Sequence, residues 1–143
     1  MREITTLKIM LDKGAIMPLR VHTRDAGYDL YTPRRFVLPP WDAVFIDTGV
    51  HVVVPEGKCL QLISKSGLMK DYKILTTGLV DESYNGSIGV VLFNFSGQHY
   101  TFERGEKISQ FVIQPYYALE TEQIFEMPET ERNANGWGST GRR

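Results

Sequence analysis

Short apolar or alternating runs recur along this chain, and none lasts three helical turns: "TLKIML", "AVFIDTGVHVVVP", "KCLQLIS", "KILTTGLV", "SIGVVLFNF" and "KISQFVIQPYY". Runs of this kind cover one face of a strand but not the stripe of a convincing amphipathic helix. They are rich in Val, Ile, Phe and Tyr and are bounded by Gly, Pro, Asp and Asn, so the chain reads as all-β. Asn85-Gly86 suits the positive φ angles of a type I′ turn and predicts a hairpin, with Gly89 across from Glu82. "RRFVLPPWDAV" puts Pro39 and Pro40 in a loop. One short helix is expected in "SKSGLMKDYK", where Ser66 caps the first turn and Leu68 and Tyr72 share a face.

A chain of 143 residues has the size of one domain. Beyond Tyr117 glutamates recur and apolar residues thin out, so a domain over residues 1–125 is expected to be followed by a mobile C-terminal arm over residues 126–143. Sixteen Lys and Arg against 17 Asp and Glu give a net charge of -1, which argues against stable nucleic-acid binding through a broad basic surface. No apolar stretch reaches the roughly 18 residues of a membrane span. Cys59 has no second cysteine to pair with, and the first twenty residues lack a signal-like apolar segment, so an intracellular, cytoplasmic protein is expected. His22, His51 and His99 lie far apart in the chain, which speaks against a metal held entirely by side chains.

Several stretches carry residues suited to chemistry. "SKSG" joins a cation, two hydroxyls and a glycine ahead of a helical turn, where free amides favour an anion. Asp81 lies in an apolar approach beside Leu79 and Val80, and a carboxylate there must face water or meet a partner. It bonds a backbone turn or serves as a general base that orients and deprotonates water. Gly89 leaves a gap in a strand face where a flat ligand reaches backbone groups. Strand parity puts Asp81 and Tyr84 on opposite faces, so contact of both with one ligand requires the backbone between them to bulge or twist. In the glycine-rich ending "NGWGSTGRR", Trp137 offers a ring for stacking.

Taken in order, "AGYDLY", "SKSGL", "GLVDESYNGSIGVVLFN", "RGEKISQFVI" and "RNANGWGSTG" closely resemble the five motifs of the trimeric deoxyuridine triphosphatases, and together they span residues 26 to 141. The resemblance implies a distorted jelly-roll, β-barrel-like fold, assembled as a homotrimer with sites shared between subunits. It also implies hydrolysis of dUTP to dUMP and pyrophosphate, which limits uracil in DNA and supplies dUMP for dTTP synthesis. By the same resemblance Asp81 holds the attacking water for in-line attack at the α-phosphorus. Lys65, Ser66 and Gly67 grip phosphate, and Gln110 contacts the α-phosphate region. Gly78, Leu79, Val80 and Gly89 read the uracil edge, and Tyr84 packs under the deoxyribose. Arg132, Trp137, Gly138, Ser139 and Thr140 close over the nucleotide from another subunit. Mg2+ is held mainly by substrate phosphates, with Asp29 linked to it through waters.

Five positions depart from the family pattern, one of them Trp137, where Phe is usual. Lys65 stands where Arg is usual and lacks its planar fork. Ser64 replaces a common Pro, Ser83 a frequent second acid, and Leu75 a residue that is polar in some members. The deoxycytidine triphosphate deaminases share the fold and part of the motif set, but "GLVDESYNG" is of the hydrolase type. A dUTP-binding regulator acting through protein contacts stays open as a second reading.

Overall fold

The computed structural model describes residues 6–143 and contains eleven strands and one helix. In chain order these are β1 (Lys8–Leu11), β2 (Tyr28–Tyr31), β3 (Phe36–Leu38), β4 (Ala43–Asp47), β5 (Val50–Val53), β6 (Lys58–Ile63), α1 (Ser66–Tyr72), β7 (Ile74–Leu75), β8 (Thr77–Val80), β9 (Gly89–Asn94), β10 (Tyr100–Phe102) and β11 (Lys107–Pro115). All strand pairs are antiparallel. They form four ladders, β1-β5, β10-β3, β2-β11-β6-β8 and β4-β9-β7, wrapped around one core with no closed ring of strands. Leu30, Leu38, Ile46, Leu60, Val90, Phe102, Ile108 and Phe111 are fully buried within it. Phe36 stacks on Phe102 and Tyr28 on Phe111, with centroids 4.8 and 4.9 Å apart.

The all-β reading with one short helix therefore holds, and its errors have local causes. The run "AVFIDTGVHVVVP" is two strands in different ladders, because Gly49 takes φ +69 and its N–H bonds the Asp47 side chain at 3.0 Å, turning the chain. β3 was hidden by its length and by Pro39-Pro40: only Phe36 and Leu38 point inward, with Val37 exposed between them. Ser66 does not cap α1. Lys65 occupies the cap position with no side-chain cap bond, and Ser66 is the first helical residue. The helix buries none of its residues, and Lys73 ends it in the left-handed region at φ 56.

The Asn85-Gly86 hairpin does not form. β8 pairs with β6, whereas β9 pairs with β4 and β7, so the chain between Asp81 and Ile88 crosses from one ladder to another. Neither Asn85 nor Gly86 takes a positive φ. Glycine is needed at position 86 for a different reason: a Cβ there would sit 2.6 Å from Cζ of the Tyr84 ring, which lies across the loop. Gly89 accordingly faces Asp47 of β4, not Glu82.

Regular structure ends with β11 at Pro115. Beyond Tyr116 the hydrogen bonds are short-range ones, such as Ser139 N–H to the Gly136 carbonyl at 2.7 Å and Asn135 N–H to the Arg132 carbonyl at 3.1 Å.

Candidate active site

The site residues fall into three groups. The first surrounds a cleft of about 410 Å³ whose lining includes Gly78, Leu79, Val80, Asp81, Tyr84 and Gly89. β8 supplies Gly78 to Val80, and Gly78 approaches β6 so closely that a Cβ would stand 2.9 Å from Leu62 Cδ1. Past Val80 the strand stops and turns, with the Tyr84 N–H on the Asp81 carbonyl at 3.1 Å. That turn resolves the parity conflict between Asp81 and Tyr84 and brings both to one cleft. The Tyr84 hydroxyl donates to the Ser87 carbonyl at 2.7 Å, and the Ser87 hydroxyl donates to Asp47 at 2.6 Å, fixing the far wall. The expected gap at Gly89 is covered, because a Cβ there would meet the Phe45 ring, with Cζ at 2.5 Å. Phe45 thus joins the lining of the cleft.

The Asp81 side chain is exposed and has no hydrogen-bond partner among the described residues, whereas its neighbour Glu82 is tied down. Glu82 accepts from the Tyr116 hydroxyl at 2.7 Å and from the Gly57 N–H at 2.9 Å. Those two donors hold its carboxyl below the usual carboxylate range, the tyrosine contributing most. Two adjacent acids are thereby given different surroundings: one anchors the turn and the other faces the cleft.

The second group lies on the opposite edge of the same sheet. Asp29, Gln110, Ile63 and Thr77 form one row across β2, β11, β6 and β8. Three strand spacings, roughly 14 Å, separate its ends. Asp29 is 4% exposed, and each of its oxygens takes a lysine ammonium: Lys65 at 2.6 Å and Lys107 at 3.3 Å. Its backbone is pinned to Leu19, whose carbonyl accepts the Asp29 N–H at 2.8 Å. Gln110 donates to the Ser64 carbonyl at 3.1 Å and fills the space beside Gly27, where a Cβ would meet its amide carbon at 3.2 Å. Ser64 both donates to the Thr76 carbonyl at 3.0 Å and accepts the Thr76 N–H at 2.9 Å, an exchange that proline cannot make. Lys65, Ser66, Gly67, Asp29 and Gln110 are thus brought together, and Lys107 joins them. Lys107 is a residue that the reading of the sequence missed although it lies inside "RGEKISQF".

The environment of Asp29 decides how it relates to a metal ion. A divalent cation placed directly on its carboxylate would displace a lysine, and no group of three or more His, Cys, Asp or Glu side chains suited to a metal occurs among the described residues. Direct ligation by Asp29 does not fit.

The third group, Arg132, Trp137, Gly138, Ser139 and Thr140, meets neither of the others within the chain. Trp137 is wholly exposed, and Arg132 bonds the nearby Asn135 carbonyl.

A cleft walled by Gly78, Asp81, Tyr84 and Gly89 on one sheet edge and two ammonium groups held by Asp29 on the other suit molecules with a flat polar end and an anionic end, the class of nucleotide-binding proteins. Comparison with known proteins narrows that class. The dUTPase family model matches residues 13–141, and the chain belongs to that family. A deoxyuridine 5'-triphosphate nucleotidohydrolase of Clostridium novyi is 37% identical over 94% of this chain and 99% of its own length. A Staphylococcus bacteriophage 80alpha dUTPase solved with dUPNHPP superposes with a TM-score of 0.89 at 32% identity, over 96% of this chain and 99% of that one. A mutant dUTPase from phage phi11 of S. aureus, solved with a structural Mg(II) ion, has a TM-score of 0.78 at 30% identity, over 85% of this chain and 98% of that one.

Proposed function

We propose that the protein hydrolyses dUTP to dUMP and pyrophosphate, with Asp81 as the base that orients and deprotonates the attacking water. The observation that carries this reading is the shared cleft, lined by Asp81 and Tyr84 together with Gly78, Leu79, Val80 and Gly89. Fixed backbone donors and acceptors distinguish uracil from cytosine because the wrong base leaves buried polar groups unpaired. Tyr84, braced by its bond to the Ser87 carbonyl, limits the space beside the sugar and disfavours a 2′-hydroxyl. Above the cleft floor the unbonded Asp81 carboxylate is free to hold water in line with the α-phosphorus, a task worth about 10²–10⁴-fold in rate.

Lys65, Ser66, Gly67 and Gln110 bind the phosphates. Asp29 holds the two lysine ammonium groups in register, a role its ion pairs support, and its link to a metal ion would run through waters. Mg2+ would be carried by phosphate oxygens and retained waters, where it neutralises phosphate charge. The separation of the cleft from the lysine cluster, and the distance of the arm from both, support a homotrimer in which different subunits complete each site. In that assembly the domain of residues 1–125 supplies the two clusters and the arm of residues 126–143 closes over a neighbour's nucleotide. Removal of dUTP and supply of dUMP for dTTP synthesis suit a protein that works in the cytoplasm. No described helix is long and apolar enough to cross a membrane.

The test is pyrophosphate release from dUTP, dCTP, dTTP and UTP in the presence of magnesium. Release from dUTP is expected to be much the fastest. Equal rates on all four would reject the uracil and deoxyribose assignments, and ammonia from dCTP would establish a deaminase instead.

A further inference from the structure

His51 is the second residue of β5 and sits behind the loop that carries Tyr84. Its Nδ1 lies 2.8 Å from the Asn85 carbonyl oxygen and its Nε2 lies 3.0 Å from Asp12 Oδ1. Both partners are acceptors without hydrogens to give. A neutral imidazole carries one N–H and satisfies one of them; the imidazolium carries two and satisfies both. The geometry therefore selects the charged ring, and its pKa is raised, first by the Asn85 carbonyl and then by the Asp12 carboxylate.

The surroundings reinforce this choice. From the turn after β1 comes Asp12, and from the end of β4 comes Asp47, whose charge also favours the imidazolium. The loop contributes Glu82 and Tyr84 to the cleft beside the ring, and β1 contributes the uncharged Met10. The charges that act on His51 are those of Asp12 and Asp47, both acids, while Lys8, opposite Val53, lies on the same face of the β1-β5 ladder two residues further along.

What the ring holds is the Asn85–Gly86 peptide, one residue past Tyr84. The loop is fastened at Ile88, whose N–H donates to the Val50 carbonyl at 2.8 Å, and through the Tyr84, Ser87 and Asp47 chain. Between those anchors His51 adds a cross-link from β5 to the Asn85 carbonyl.

We propose that protonated His51 is a positioning residue for substrate binding: it clamps the Asn85–Gly86 peptide to β5 and so keeps the Tyr84 wall in place against the sugar. This rests on the reading of the Tyr84 cleft as the nucleoside pocket. A raised folded-state pKa means that the clamp is complete at low pH and opens as pH rises through the His51 value. Loss of the clamp weakens binding of the deoxyribose while leaving Asp81 untouched, so the effect falls on KM and not on kcat.

The experiment compares KM and kcat for dUTP between about pH 6 and 9 in wild type, His51→Gln and Asp12→Asn. In wild type KM is expected to rise roughly 3–10-fold across the His51 titration, the share of a charged hydrogen bond that reaches the ligand, with kcat little changed beyond what the variants also show. His51→Gln should have a raised KM without that rise. Asp12→Asn should keep the low KM at acid pH and move the rise to lower pH. Ionisation of dUTP itself affects all three proteins alike. Superposed KM profiles for wild type and His51→Gln would overturn the proposal. NMR of the full wild-type chain tests the clamp without substrate: the Asn85 and Gly86 amides should titrate with the His51 ring, and a titrating ring with unmoved amides would also overturn it. Absence of dUTP turnover at every pH would instead remove the functional reading, with the NMR result left to decide the clamp.

Discussion

The Tyr116 hydroxyl donates to Glu82 Oε1 at 2.7 Å, joining the residue just past the last strand to the residue beside the catalytic candidate. Glu82 also accepts the Gly57 N–H, so three parts of the chain meet at one carboxylate. The bonds form with the ionised acid, whose pKa is lowered from the ordinary 4.5. Their stabilisation is therefore present above the unfolded-state pKa and lost as pH falls through the lower folded-state value. Tyr116→Phe should reduce Tm near neutral pH, and the difference from wild type should shrink on acidification through that window. Scanning calorimetry across about pH 3 to 7 measures it, and a pH-independent difference would point to packing of the ring instead.

Asp81→Asn should retain binding of a nonhydrolysable dUTP analogue while turnover falls by about 10²–10⁴-fold. Titration calorimetry and pyrophosphate release separate the two effects. Undiminished turnover would remove Asp81 from the mechanism.

Asp29→Asn leaves Lys65 and Lys107 close together without their common acid. Removing one partner of a buried pair costs about 3–5 kcal/mol, but the lysines are partly exposed and solvent screening reduces this to about 1–3 kcal/mol. Denaturant melts measure the loss, and KM should rise as the lysines lose their register. A Lys65→Arg variant, which keeps the charge, should fall well short of that loss.

Trp137 is fully exposed, so its emission should change when the arm closes over a nucleotide. Trp41 is also largely exposed, and a Trp41→Phe background isolates the signal. With dUPNHPP the arm should also resist proteolysis. Unchanged emission and unchanged cleavage would leave the segment as a tail.

Much of the fold was legible because burial follows local pattern: β6, β9 and β11 each carry an apolar run long enough to read. β3 and β10 were not, since three-residue strands with two inward side chains give no periodicity to detect. Asn85-Gly86 misled because turn propensity is local, whereas partner choice for β8 and β9 is decided by β6 and β4 across the core. In the candidate site, Gly78, Asp81 and Tyr84 lie close in sequence and share a cleft, so one motif sufficed to group them. Lys107 and His51 act through partners 78 and 39 residues away for Asp29 and Asp12 respectively, as the numbering gives, and such pairings carry no local signature.

The row from Asp29 to Thr77 sets the lysine cluster and the cleft on opposite edges of one sheet. In the proposed trimer, defects in the two edges are then genetically separable. Chains carrying Asp81→Asn and chains carrying a disabled lysine cluster, each inactive by itself, should restore part of the activity when unfolded, mixed and refolded together, because some mixed assemblies bring an intact edge from each parent to the same nucleotide.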